Sequence, residues 1–298
     1  MLRFGLCCIF RNEPIKFRTT TATALSKLSG SDRLRKLSEI ISANADALMD
    51  ALNFCVEHDI GSFRVNSQIL PAKTHPEQGY DIDDLANAAA LKEKFKTCGD
   101  FAKVNNIRIT FHPDQFVVLN SPRDDVVQKS IQELEYQCQV ASWINADVIN
   151  IHGGGVYGNK ITALDRLRKS IKQLSVEVRS RLTLENDDKS FTPENLLPLC
   201  LETGIPFAYD VHHHRCNPDQ LSIAEVTANA LDTWNREPLF HISSPREGWD
   251  GPKTYRHHDY INISDFPMEW QGHNCLTVEV EAKAKELAVL KLTKELTK

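Results

Sequence analysis

Short apolar runs in this chain repeatedly end in a residue that can bind a metal or move a proton. Ile-Thr-Phe111 is followed by His112-Pro-Asp114-Gln115, and Val-Ile-Asn-Ile151 by His152-Gly-Gly-Gly155. Leu-Thr-Leu184 runs into Glu185-Asn186-Asp187-Asp188, and Phe-Ala-Tyr209 into Asp210-Val-His212-His213-His214. Leu-Phe240 leads to His241-Ile-Ser-Ser, Thr-Val-Glu-Val280 leads to Glu281, and the loop after Val65 carries His75. Taken singly, each is an ordinary polar strand end; their recurrence is the signal. Several carboxylates gathered without compensation would repel one another and take up protons, and divalent cations are the simplest compensation. Imidazole and carboxylate donors without thiolate suit Zn, Mn, Fe or Co. Glu185, Asp210 and Glu281 are of the type that bridges two ions about 3.5–4 Å apart, the arrangement that serves in-line displacement at phosphorus. The chemistry implied is hydrolysis of a phosphodiester. Neither GxGxxG nor GxxxxGK[ST] occurs, so no organic cofactor is expected.

These residues need a scaffold that brings successive strand ends to one place. Apolar runs at 2–9, 60–65, 107–111, 148–151, 182–184, 207–209, 239–242 and 276–280 read as strands. Between and after them, 32–58, 81–105, 122–145, 162–178, 193–202, 221–234, a shorter 263–270 segment and 282–296 have helical character. The stretch 32–58 is typical, with Leu34, Leu37, Ile40, Ile41, Leu48, Leu52 and Val56 on one face. Eight alternating strand–helix units with no Gly-rich linker predict a (β/α)8 TIM barrel, one domain over residues 1–298. A doubly wound open sheet is the second choice. In a barrel the strand ends converge at one mouth, where the loops that follow the strands build active sites.

The remaining properties exclude little. With 40 acidic and 35 basic residues the net charge is −5, which is no basic nucleic-acid platform, yet bound cations restore positive charge where a phosphate must sit. The eight cysteines are scattered without a CxxC pair and suit reduced thiols. No apolar run approaches the roughly 20 residues that span a bilayer, so a cytoplasmic protein that does not engage membranes is expected, and one compact domain suits a monomer.

Taken together, the motifs resemble the UV damage endonuclease family. The residues that carry the resemblance are Phe63-Arg64-Val-Asn66, Leu70-Pro71 and His75-Pro76, then Phe111-His112-Pro113-Asp114-Gln115 and Ile151-His152-Gly153-Gly154. Leu184-Glu185-Asn186-Asp187, the most specific, Asp210-Val-His-His213, Phe240-His241 and Glu281-Ala-Lys283-Ala-Lys285-Glu286 follow in family order. The resemblance implies a TIM barrel related to endonuclease IV. It implies two or three divalent metals, Mn foremost with Zn, Co or Mg as alternatives, and damaged double-stranded DNA as partner. The expected cut lies immediately 5′ to UV photoproducts and other lesions, leaving a 3′-hydroxyl and a 5′-phosphate. Carried over by motif, Glu185, Asp210, His241 and Glu281 would surround one ion, and His112, His152 and Glu185 a second. His213 and His257 would serve a third. Glu185, His75 and His257 would be catalytic, and Gln115, Phe116 and Asn12 would meet the lesion. Three positions depart from the family pattern. Leu239 stands where a lysine able to bind metal is common, Phe116 stands where the probe pair has Tyr, and Leu6-Cys7-Cys8 where a Tyr is frequent. A xylose-isomerase-like sugar enzyme is the alternative on the same fold, and a metal-stabilised DNA-binding module the non-enzyme one.

Overall fold

The structure is a computed structural model that describes residues 2–297; the outermost residues of the expected 1–298 domain lie outside the described residues. Eight parallel strands close into a barrel in chain order, β1 Leu2–Cys7, β2 Ser62–Val65, β3 Arg108–Phe111, β4 Val148–His152, β5 Leu182–Glu185, β6 Phe207–Asp210, β7 Leu239–Ile242 and β8 Leu276–Val280, with β8 paired back to β1. The open sheet is thereby excluded. The helices are α1 Ala22–Leu25, α2 Gly30–Glu57, α3 Ala88–Val104, α4 Asp124–Ile144, α5 Lys160–Gln173, α6 Val176–Arg181, α7 Pro193–Thr203, α8 Val211–Cys216, α9 Ile223–Asp232 and α10 Glu286–Leu296.

Helix boundaries follow local chemistry. The Ser29 side chain caps α2 on the Asp32 N–H, and the Ser222 and Glu225 side chains form a reciprocal box at the start of α9. The periodic stretch expected at 162–178 is two helices, because Leu174 and Ser175 turn extended and the Ser175 side chain caps α6. The 263–270 segment is not one helix but two single 3-10 turns, Ile263–Asp265 and Met268–Trp270, with Phe266 and Pro267 extended between them. Among the described residues, no helix is long and apolar enough to cross a membrane.

The barrel strands alternate sharply. Phe63, Val65, Ile109, Phe111, Ile149, Ile151, Leu182 and Leu184 join the hydrophobic core shared with the helices, so their neighbours in sequence face the barrel axis. That axis is polar: Thr110 Oγ1 donates to Glu279, Thr183 Oγ1 donates to Asn150 Oδ1 at 2.8 Å, and Arg64 faces Glu279 at 3.2 Å. Barrel interiors are more often packed with branched apolar side chains. Here a buried polar column leads up to the mouth.

Candidate metal centre

Strand register sets the chemistry at one height. His152 pairs with Glu185 across β4 and β5, Asp210 with His241 across β6 and β7, and His241 with Glu279 across β7 and β8. Glu185 is the hub. Fully buried at the end of β5, its carboxylate lies 2.9 Å from His112 Nε2, 3.4 Å from His152 Nε2, 3.2 Å from His213 Nδ1 and 3.2 Å from His241 Nδ1. Asn150 donates to the same carboxylate from within the barrel.

Short local structures aim these side chains. Asp210 ends β6 and caps α8, its Oδ1 accepting from the His213 N–H at 2.7 Å, so the next turn swings the His213 ring back over the mouth. Asn186 locks this arrangement, donating to the Asp210 carbonyl at 2.9 Å and accepting from the Asp210 N–H at 3.0 Å. His112 Nδ1 lies 3.1 Å from the Pro113 carbonyl, which leaves Nε2 directed at Glu185. Glu281, just beyond β8, lies 3.6 Å from His241 Nδ1, and its other oxygen is 3.8 Å from His257 Nδ1.

Among the described residues, Glu185 Oε1, His152 Nε2, Asp210 Oδ2 and His241 Nδ1 are buried with no hydrogen-bond partner. Buried polar atoms are nearly always paired, and leaving one unpaired costs about 1–3 kcal/mol. Several such atoms at one place are of the kind that could hold a divalent cation, and the residues therefore fit the group that the sequence implies. Ligand atoms within 4.8 Å of one another fall into three overlapping groups, namely His112–His152–Glu185, His112–His241–Glu281 and Glu185–Asp210–His213.

In the metal-free chain the buried carboxylates and imidazoles hold one another charged. Burial would push the Glu185 carboxyl up, but His241, His152 and His112 outweigh it and hold the group well below the carboxylate range. Burial would lower His213, yet Asp210 and Glu185 hold it well above the imidazole range, and Glu185, Glu279 and Glu281 do the same to His241. At His212 burial outweighs the pull of Asp210 and pushes the imidazole down to about 4.

Of the other expected site residues, His257 touches this centre through Glu281. His257 sits in the long segment between β7 and β8, its ring 6.4 Å from that of His213 and 5.2 Å from that of His212. His258 turns outward, its Nδ1 accepting from the Tyr260 N–H. The His75 Nδ1 accepts the Glu77 and Gln78 N–H groups at 3.2 Å, and the ring lines a cavity of about 590 Å³ with Asp114 and Phe116. Gln115 and Phe116 are exposed on the loop after β3, Phe116 at 78%. Asn12 is exposed, its N–H donating to Glu286 at 2.7 Å. His214 is occupied structurally, between the Tyr209 hydroxyl at 2.7 Å and Asp219 at 3.1 Å.

Sequence reasoning gave no role to Arg64, Asn150 or Glu279. Arg64 Nη1 donates to Glu281 Oε1 at 2.6 Å, placing a buried guanidinium under the centre. The available signal was spacing: Glu279 and Glu281 are two apart at the end of a strand, and so share a face.

The family model described as UV-endonuclease UvdE matches residues 2–298. A UV DNA damage endonuclease of Bacillus cereus (strain B4264) is 34% identical over 312 residues, covering 100% of this chain and 95% of that protein. The solved structure of SacUVDE superposes with a TM-score of 0.89 at 29% identity, over 100% of this chain and 98% of that one. Endonuclease IV from Thermus thermophilus shares the fold, with a TM-score of 0.62 at 13% identity over 99% of this chain and 97% of that one. A sugar enzyme would share the barrel but not the family. The ordered strand-end motifs, the closed barrel and these matches lead to one assignment: the chain belongs to the UV-endonuclease UvdE family.

Proposed function

We propose that this chain is a DNA-repair endonuclease that uses two or three divalent cations, manganese foremost, to hydrolyse the phosphodiester immediately 5′ to UV photoproducts and other lesions. The products are a 3′-hydroxyl and a 5′-phosphate. The observation that carries the reading is the convergence of His112, His152, His213 and His241 on the buried Glu185, in a chain of this family.

His112, His152, Glu185, Asp210, His213, His241, His257 and Glu281 would hold the cations. Bound there, divalent cations lower the pKa of water and offset charge on the phosphoryl oxygens. The chain's own residues do the rest. Glu185 gathers the imidazoles around one point, and Asn150 and Asn186 fix the strand ends that carry them. His75, on the loop after β2, would meet a phosphate oxygen. Arg246, Arg256 and Lys283 line a polar pocket of about 700 Å³ together with His257. They would seat backbone phosphates beside the centre and so set the register of the duplex. Gln115 and Phe116 would enter the stack vacated by the damaged bases, recovering part of the few kcal/mol that unstacking costs, while Asn12 would face the lesion from the loop after β1.

The test is cleavage of a UV-irradiated duplex oligonucleotide, labelled at its 5′ end, with Mn2+. A single nick on the 5′ side of the lesion is expected. Removing an outer partner of a metal ligand costs about 10–100-fold, so Glu185→Ala, which removes a shared inner one, should lower cleavage by more than about 100-fold. No nick from folded wild-type protein, or an active Glu185→Ala variant, would reject the reading.

A further inference from the structure

We propose that Glu279, a residue of the barrel interior rather than of the mouth, is a positioning residue that fixes which nitrogen of His241 faces the cations. The inference rests on the metal reading above. Glu279 is fully buried in β8 and directly opposite His241 in the β7–β8 register. The two edges of the His241 ring face different carboxylates. Nε2 is 3.1 Å from Glu279 Oε2, whereas Nδ1 is 3.2 Å from Glu185 Oε2 and 3.6 Å from Glu281 Oε1.

An imidazole that donates through one nitrogen offers a lone pair on the other. A proton on Nε2 lies against the Glu279 carboxylate, which attracts it across the 3.1 Å contact, and leaves the Nδ1 lone pair toward Glu185 and Glu281. A lone pair aimed at two carboxylates is repulsive unless a cation lies between them. The opposite tautomer would set the Nε2 lone pair against Glu279 and leave a proton where the cation belongs. A carboxylate behind a metal-bound imidazole is a recurrent way of fixing tautomer and ring orientation.

Glu279 is itself held for this task. Thr110 Oγ1 donates to its Oε1, and Arg64 Nη1 stands 3.2 Å from its Oε2. Room for it comes from Gly5 on β1, where a Cβ would fall 2.9 Å from Glu279 Cγ and 3.3 Å from Ser62 Cβ. Arg64 alone does not account for the arrangement, because the same guanidinium nitrogen already donates to Glu281 at 2.6 Å.

The experiment is titration of the full chain with Mn2+ by calorimetry. Glu279→Ala should weaken Mn2+ binding by about 10–100-fold, and Glu279→Gln, whose amide oxygen can still accept from Nε2, should recover most of the loss. A folded Glu279→Ala variant that binds Mn2+ as tightly as wild type overturns the inference alone. A wild-type chain that binds no Mn2+ overturns the metal centre and the inference together. If Glu279→Ala does not fold, 15N-histidine spectra of the wild-type chain with Zn2+ decide the matter. A protonated Nε2 and a coordinated Nδ1 on His241 support the proposal, and the reverse assignment overturns it.

Discussion

Glu185 is the residue on which the electrostatics of the centre turn, and its neighbours make a prediction about protons. His213 and His241 are held well above the imidazole range by the carboxylates around them, so both carry a proton near pH 7 in the metal-free chain. A cation bound by these rings would have to displace those protons. Mn2+ binding is therefore expected to release protons, and affinity should fall on acidification from above the ordinary imidazole pKa of about 6.5. Calorimetry in buffers of different ionisation enthalpy measures the release; none at pH 7 would contradict the assigned charges. Phe116 makes a second residue-scale prediction. At 78% exposure it supports little of the core, so Phe116→Ala should change stability by no more than about 0.5 kcal/mol. Lost stacking should weaken binding to lesion-bearing DNA by about 1–3 kcal/mol, read by fluorescence anisotropy in Ca2+ to suppress cleavage. The residues at strand ends were legible in the sequence because a polar residue after an apolar run stands out. Glu279 and Arg64 were not, since each lies inside a strand whose interior face is expected to be apolar, and their partners come from strands far away in sequence.

At the scale of elements, the His152-Gly-Gly-Gly155 turn shows how a loop holds His152 in place. From sequence it reads equally as a tight turn or as backbone close to a phosphate. Gly154 has φ of +86°, and a Cβ there would fall 2.2 Å from Asn120 Oδ1. Asn120 in turn donates to the Gly155 carbonyl at 2.8 Å and accepts from the Gly155 N–H at 3.2 Å. The turn is packed against a side chain, which favours the first reading. Gly154→Ala should cost about 1–3 kcal/mol in urea unfolding and weaken Mn2+ binding by displacing His152; an unchanged midpoint would mean that the loop adapts freely. The short α8 escaped the sequence reading because six residues carry too little periodicity to announce a helix. The break between α5 and α6 was hidden for the opposite reason: Val178 is buried like Leu167 and Ile171, so the apolar pattern runs through the capping Ser175.

The whole molecule is a barrel with a polar axis, the candidate metal centre at one end and ion pairs at the other. Arg108 at the start of β3 binds Asp147 through two nitrogens at 3.0 and 2.8 Å and donates to the Glu237 and Pro238 carbonyls at 2.7 and 3.1 Å. Nearby, Arg3 pairs with Glu237 at 2.7 Å. Arg108→Ala should lower stability by about 2–3 kcal/mol, the scale of charged hydrogen bonds, while leaving Mn2+ affinity intact because these ion pairs are remote from the mouth. A matching loss of Mn2+ affinity would show the two ends to be coupled. The eight-unit alternation made this architecture readable, whereas the contents of the barrel depend on pairings between strands that no single stretch reveals.

Closure of the barrel by β1 against β8, with Leu2 beside Leu276, has a consequence for the chain as it is made. Synthesis proceeds from the N-terminus, and a nascent chain stopped short of Leu276 has neither Glu279 nor Glu281. His112, His152, Glu185, Asp210 and His241 are by then translated, but the last wall of their enclosure is not yet made. A candidate centre drawn from β3 through β8 is thus born incomplete, and it gains Glu281 only when the ends of the barrel meet.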